Sequence, residues 1–261
     1  MNTLQRCKPL LGTFVEVTVQ DDVSDKALIE QSNAVFKEIE HIESTMSFHN
    51  KYSELSFINR YAHRRPVSMS KDMSKVINQA LVLSYLTKGV YDISVAPDLV
   101  SSGLLPDHDY DVDPHASWQD VVIISERIHF NRPLTLDLGG IAKGYAVDKL
   151  GRLLLQQGIT DYLVEVGGEI IAHGMKPNQI PWRVAIEAPN DEGRSVQIIV
   201  PLTQLGIATS GDYRNFFEFD GQRFSHTIDG RTGYPVKHNL ASVSVLHEFV
   251  ALADAWATAL S

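Results

Sequence analysis

The sequence predicts an α+β fold of mixed antiparallel sheets, hairpins and packed helices. Three observations point there. Strand-like segments are spread along the chain and not gathered in one block. Two neighbouring pairs of them are joined by Gly167-Gly168 and by Asp220-Gly221, both hairpin signals. Long stretches of helical apolar spacing lie between the strands, with no fixed-period repeat and no low-complexity linker. The 261 residues, 44% hydrophobic and 21% charged, suit a single domain over 1–261, with room for two subdomains, and can bury a substantial core.

Phe14 to Val19 alternates and is rich in Val and Thr, which predicts a strand. A helix is expected from Ser24 to about Ser47, since Leu28, Val35, Ile39, Ile42 and Met46 recur on one face. Ser24 is its expected N-cap, with Asp25 in the first turn. A second helix runs from about Asp72 to Lys88 on Met73, Val76, Ile77, Ala80 and Leu83, and Gly89 ends it. Ser101 to Trp118 is polar, acidic and broken by Pro106 and Pro114, which reads as a surface loop. Its Asp107, Asp109, Asp111 and Asp113 lack the turn glycine of a calcium loop (Val112 stands there) and the closing Glu (Trp118 stands there).

Val121 to Ile124 and Leu134 to Leu138 are expected strands, followed by a helix from about Ile141 to Gln157 that Gly158 ends. Further strands are expected at Leu163–Val166, Glu169–His173, Trp182–Glu187, Val196–Leu202, Asn215–Phe219, Arg223–Ile228 and Ala241–Leu246. A last helix spans Glu248 to Leu260.

Net charge is −9, from 32 acidic and 23 basic residues, and Lys/Arg cluster only at Arg64-Arg65. That excludes a broad nucleic-acid surface but leaves room for a local basic pocket. Cys7 is the only cysteine, so neither an intrachain disulfide nor a thiolate metal cluster can form. No apolar run of about 18 residues exists to span a membrane. The first ten residues lack the apolar core of a signal peptide, which predicts a cytoplasmic chain as written, or a periplasmic one if a leader has been removed.

Four stretches carry chemistry. In Leu136-Asp-Leu-Gly-Gly-Ile-Ala-Lys-Gly144 a strand enters two glycines and then a helix bearing Lys143. Free N–H groups, a helix dipole and an ammonium there suit a phosphate, although neither G-x-x-x-x-G-K-[ST] nor G-x-G-x-x-G is present and a tight structural turn has the same pattern. In Ala253-Asp-Ala-Trp-Ala-Thr258, Asp254 and Thr258 share one face of an otherwise apolar helix. A buried carboxylate needs a partner, which a salt bridge, a neighbouring loop or a hard cation such as Mg²⁺ would supply. His226, within Ser225-His-Thr-Ile-Asp-Gly-Arg-Thr-Gly-Tyr-Pro235, is either structural or an acid/base near neutral pH. Ala208-Thr-Ser-Gly-Asp-Tyr213 lacks the G-x-S-x-G elbow of a serine hydrolase.

In their order and spacing these runs resemble the ApbE family of FAD:protein FMN transferases, from Leu11 to Thr258. Leu11-Gly12-Thr13, Val90-Tyr91-Asp92, Ser44-Thr-Met-Ser47 with Ser53-Glu54-Leu55, and Gly167-Gly168-Glu169 extend the match. Leu11 replaces a usual Met, Glu169 a common Asp, and Gly230 a frequent Pro, the last read as a mild change within a turn. The family is expected to continue through further strand past the position of Thr258, and many of its members are exported lipoproteins.

The resemblance implies an ApbE-like, T-fold-like domain with the FAD site between its subdomains. It implies Mg²⁺ held by Gly140, Asp254 and Thr258. It implies FAD contacts from Leu11, Val90, Tyr91, Asp92, Asp137, Lys143, Glu169, Ser210, His226, Thr227 and Ile228. The implied reaction moves FMN from FAD to a threonine hydroxyl of an acceptor flavoprotein and releases AMP, with His226 or Asp254 taking the hydroxyl proton. An Mg²⁺-dependent FAD pyrophosphatase and a non-catalytic FAD-binding protein are the alternatives.

Overall fold

The computed structural model describes residues 2–188, 195–211, 216–219, 222–225, 227–236 and 240–261. In chain order its elements are β1 (Asn2–Leu10), β2 (Thr13–Asp21), α1 (Asp25–Met46), α2 (Glu54–Tyr61), β3 (Val67–Ser68), α3 (Lys71–Leu86), α4 (Ala96–Ser101), β4 (Val121–Ile124), β5 (Arg127–Phe130), α5 (Ala142–Gln156), β6 (Asp161–Val166) and β7 (Glu169–His173). There follow β8 (Trp182–Glu187), β9 (Val196–Leu202), β10 (Gln204–Gly211), β11 (Phe216–Phe219), β12 (Gln222–Ser225), β13 (Ile228–Asp229), β14 (Tyr234–Pro235), β15 (Ser242–His247) and α6 (Val250–Leu260). No helix among the described residues is long and apolar enough to cross a membrane.

An antiparallel sheet in the order β1-β2-β6-β7-β10-β15 forms the frame. The β1–β2 hairpin turns at Leu11 and Gly12, both at positive φ. β1 is polar and carries Pro9, which only an edge strand tolerates, and its apolar signal is accordingly weak. β10 is central yet built of small residues. A side chain at Gly206 would run into Val250 of α6, so this strand gives up apolar bulk to let the helix approach.

α1 starts where its sequence says. Ser24 accepts a hydrogen bond from Ala27 N, and the Leu28/Val35/Ile39/Ile42 stripe is buried. Burying one such side chain is worth about 1.5–3 kcal/mol against roughly 1 for the cap, so the stripe holds this helix and the cap sets its boundary. Ser53 and Ser70 cap α2 and α3 in the same way, and Gly89, at φ 83°, closes α3.

Two apolar clusters meet along α5 and α6. One joins α1, α2 and α3 to the 134–146 segment and includes Tyr145, Ala251 and Ala255. The other fills the space between the sheet and α1, with Leu150, Leu154, Val250 and Ala253.

Two expectations are corrected. Leu134 to Leu138 is not a ladder strand. Its Leu136 backbone pairs with the buried Asn59 side chain at 2.8 and 2.9 Å, and Asp137 N donates to Ile93 O, so an amide side chain and a loop replace the neighbouring strand. The expected strand over Arg223–Ile228 divides into β12 and β13. The loop expected over Ser101 to Trp118 is present, and it follows a short helix, α4, that was not expected. Asn215, the Asp220-Gly221 turn, Asp212 and His226 lie outside the described residues.

Candidate active site

A cleft of about 590 Å³ opens where the 89–93 turn, the 137–143 turn, β7, the end of β10, the 227–228 segment and α6 converge. Val90, Tyr91, Asp92, Asp137, Gly140 and Lys143 line it, as do Glu169, Ser210, Thr227, Ile228, Asp254 and Thr258. Leu11 does not. It sits in the β1–β2 turn at φ 56°, packed against both apolar clusters, because the tight hairpin turns it inward at the sheet's end.

The 137–143 turn differs from a bare anion cradle. Ile141 and Ala142 both donate to Leu138 O, and Gly144 N donates to Asp254 Oδ2 at 3.0 Å. The Ile141 amide before α5 and the Ala142 and Gly144 amides at its start are therefore spoken for, and this turn offers the Gly139-Gly140 backbone and the Lys143 ammonium instead. Asp137 accepts from Gly139 N at 2.9 Å, and burial raises its carboxyl. A Cβ on Gly140 would lie 3.1 Å from Thr258 Oγ1 and 3.4 Å from the Tyr91 ring, so only glycine leaves that corner open.

Lys143 Nζ meets Glu169 Oε1 at 2.6 Å. Glu169 is 2% exposed, and its other oxygen has no hydrogen-bond partner among the described residues. Burial, and then the Asp254 charge, push the Glu169 carboxyl to about 8 against the pull of Lys143. Burial also raises Asp254, which Lys143 and the Gly144 amide only partly offset. Burial alone would lower Lys143; Glu169 and Asp254 reverse that and keep it charged. The Tyr91 hydroxyl is buried, unpartnered among the described residues and pushed well above its ordinary value by burial and by Asp254, Asp137 and Asp92, so it stays a neutral donor.

Other side chains are more committed. Asp92 Oδ1 accepts from both Ser94 N and Ser94 Oγ at 2.7 Å. Ser210 Oγ donates to Ser261 Oγ at 3.0 Å, which ties β10 to the end of α6. Gly230 is less incidental than its turn suggests. Its N–H donates to Val90 O, and any Cβ there would meet Asp92 Cβ and lie 2.5 Å from Gly89 O.

Sequence reasoning missed the apolar wall of Ile93, Val95, Leu99, Leu104 and Leu105, which comes from the segment leading into α4, from α4 itself and from the start of the acidic loop. Its one signal was the apolar run Leu99-Val100 followed by Leu104-Leu105 inside a polar segment.

A second carboxylate cluster has metal-ligand chemistry but is closed. Glu38, His41 and Asp72 lie together, yet Lys149 Nζ sits 2.6 Å from Glu38 Oε1 and also bonds Asp72, occupying a cation's place.

Comparison with known proteins gives a consistent result. The ApbE family model matches residues 11–261. A FAD:protein FMN transferase of Vibrio cholerae serotype O1 is 36% identical over 265 residues, covering 97% of this chain and 79% of the relative. The solved flavin transferase ApbE from Vibrio cholerae superposes with a TM-score of 0.87 at 34% identity, covering 99% of this chain and 86% of that one. An ApbE protein from Thermotoga maritima gives a TM-score of 0.88 at 28% identity, with the same two coverages of 99% and 86%.

Proposed function

The chain belongs to the ApbE family, and on that premise we propose that it transfers FMN from FAD to a threonine hydroxyl of an acceptor protein, with AMP as the second product. The observation that carries the site is convergence. Asp137, Gly140, Lys143, Glu169, Asp254 and Thr258, from three separate stretches of chain, line one cleft that leaves buried polar atoms without partners among the described residues.

The donor set fits Mg²⁺. The Gly140 carbonyl, the Asp254 carboxylate and the Thr258 hydroxyl are all hard oxygens, and Gly140 and Thr258 are neighbours. Among the described residues, Asp254 and Glu169 share one ammonium, Lys143, and burial raises both carboxyls, so a cation that entered would favour their ionised forms. Mg²⁺ held there would draw charge from a diphosphate and from the departing AMP.

The remaining work falls to the chain. Lys143, held by Glu169, places a positive charge beside the phosphates. Gly139-Gly140 lets the diphosphate approach the backbone. The Tyr91 hydroxyl offers a hydrogen bond to a ligand oxygen. The apolar wall of Leu99, Leu104 and Leu105 keeps water from competing with the acceptor hydroxyl. In the reaction the acceptor oxygen bonds to the FMN-side phosphorus, the anhydride P–O bond breaks, and AMP leaves. The hydroxyl proton passes to His226 or Asp254.

AMP release tests this reading. With FAD, Mg²⁺ and an acceptor domain carrying an Asp-x-x-Thr site, AMP forms. With the acceptor threonine replaced by valine, AMP formation stops. Equal AMP release with either acceptor would replace transfer with hydrolysis.

A further inference from the structure

α5 and α6 exchange their caps. Neither helix has an N-cap side chain of its own: Ile141 precedes α5 and Phe249 precedes α6, and neither makes a side-chain cap bond. Each helix start is capped by the other helix. Asp148, in the second turn of α5, accepts from Val250 N at 2.8 Å and Ala251 N at 3.1 Å. Asp254, in the second turn of α6, accepts from Gly144 N at 3.0 Å.

The exchange is close to symmetric. On each helix the donor amide and the capping carboxylate stand four residues apart, Gly144 with Asp148 and Val250 with Asp254, and so share a face. Gly144 pairs with Asp254 and Asp148 with Val250, so the helices run antiparallel through the contact. Glycine at 144 permits it, since a Cβ there would lie 2.7 Å from Val250 C and 2.8 Å from Ala251 Cα. Both carboxylates are buried, and a buried carboxylate that loses its donors is costly. Each cap therefore stabilises the other by holding the two helix starts in register.

We infer that Asp148 is a positioning residue for the cleft: by capping α6 it fixes the helix register that presents Asp254 and Thr258. Asp148 does not line the cleft, and it acts only through α6. The coupling runs across both caps, so loosening Asp148 from Val250 should loosen Asp254 from Gly144 at the other end of the contact.

The test uses Asp148→Ala and the milder Asp148→Asn in the full chain, with Val67→Ala, a core truncation in the small β3–β5 sheet, as the stability control. Amide hydrogen exchange is read by NMR and normalised to Val164 in the central sheet. The expected result is that the Gly144 amide exchanges about tenfold faster in both Asp148 variants, in line with the loss of a helix cap, and unchanged in Val67→Ala. Unchanged Gly144 protection in the Asp148 variants would overturn the coupling. If Asp148→Ala does not fold, Asp148→Asn decides.

A second arm rests on the metal reading above. Mn²⁺ binding, followed by electron paramagnetic resonance, should weaken about tenfold in Asp148→Asn and hold in Val67→Ala. Undiminished Mn²⁺ affinity beside a loosened Gly144 would overturn the positioning role. If the unsubstituted protein binds no Mn²⁺, the metal assignment fails, and the exchange arm decides the inference alone.

Discussion

Two lysines of α5, six residues apart, sit in carboxylate clusters of opposite character. Lys149 bridges Glu38 and Asp72, and Tyr145 donates to the second oxygen of Asp72 at 2.7 Å. That cluster ties α1, α3 and α5 together and supplies its own cation. Among the described residues, Lys143 pairs with Glu169 alone, and around it stand a carboxylate oxygen and a tyrosine hydroxyl without partners and a second buried carboxylate, Asp254. Both contain the residue types of an ion site. In the first a lysine already stands between the two carboxylates where an ion would sit, and in the second two buried carboxylates stand about one lysine.

The largest expected effect of breaking that contrast falls on Asp254. Asp254→Asn should cut FMN transfer by at least about a hundredfold and abolish its Mg²⁺ response. Steady-state rates across a Mg²⁺ titration check this, and a retained Mg²⁺ response would remove Asp254 from the metal site. His226→Ala should slow transfer while leaving Mn²⁺ binding intact, which separates the two groups named for the proton.

Glu169 sharpens the comparison through pH. Its folded-state pKa stands raised from 4.5 to about 8 by burial and Asp254. A raised pKa contributes stability that is full below 4.5 and is lost as pH climbs through about 8. The Tm of the metal-free protein should fall across that window, and Glu169→Gln should flatten the fall. Melts in EDTA at stepped pH decide it; equal slopes in the two proteins would show that Glu169 does not carry the effect.

Asp72 runs the other way. Burial raises it, but the Lys149 and Tyr145 hydrogen bonds and the Lys149 charge bring it below 3.8. Its contribution is present above 3.8 and lost as pH falls through the lowered value. Asp72→Asn should cost no more than about 1 kcal/mol at neutral pH and leave transfer unchanged, read by urea melts and AMP release. A large loss of activity would make this cluster functional. The smallest effect belongs to Asp111, an exposed loop residue paired with Arg64 at 2.6 Å. Asp111→Asn should leave Tm and rate where they are, and a Ca²⁺-dependent rise in Tm that the variant loses would contradict the reading of this loop as solvated.

What the sequence shows divides along the same line. α1, α3, α5 and α6 were legible because apolar periodicity and serine or glycine punctuation are local signals. β1 and β10 were not, since one is a polar edge carrying Pro9 and the other is thinned to Gly206 and Ala208 by the approach of α6. In the cleft the unusual residues at turns and helix ends stood out, among them Asp137, Gly140, Lys143 and Asp254. Their pairings did not. The Asp148–Val250 and Gly144–Asp254 bonds span 102 and 110 residues, and the Lys143–Glu169 pair joins a helix to a strand. Such contacts are set by tertiary packing, which no local pattern encodes. The apolar wall escaped notice for the opposite reason, because Leu99 and Leu105 look like ordinary core residues.

The most direct measurement is the intact mass of the acceptor domain after incubation with FAD and Mg²⁺. The account predicts a gain of one FMN on the acceptor threonine, matched one-to-one by AMP. The gain should disappear with EDTA and with Asp254→Asn, and persist with Asp72→Asn. An acceptor whose mass is unchanged, or one modified equally by Asp254→Asn, would contradict it.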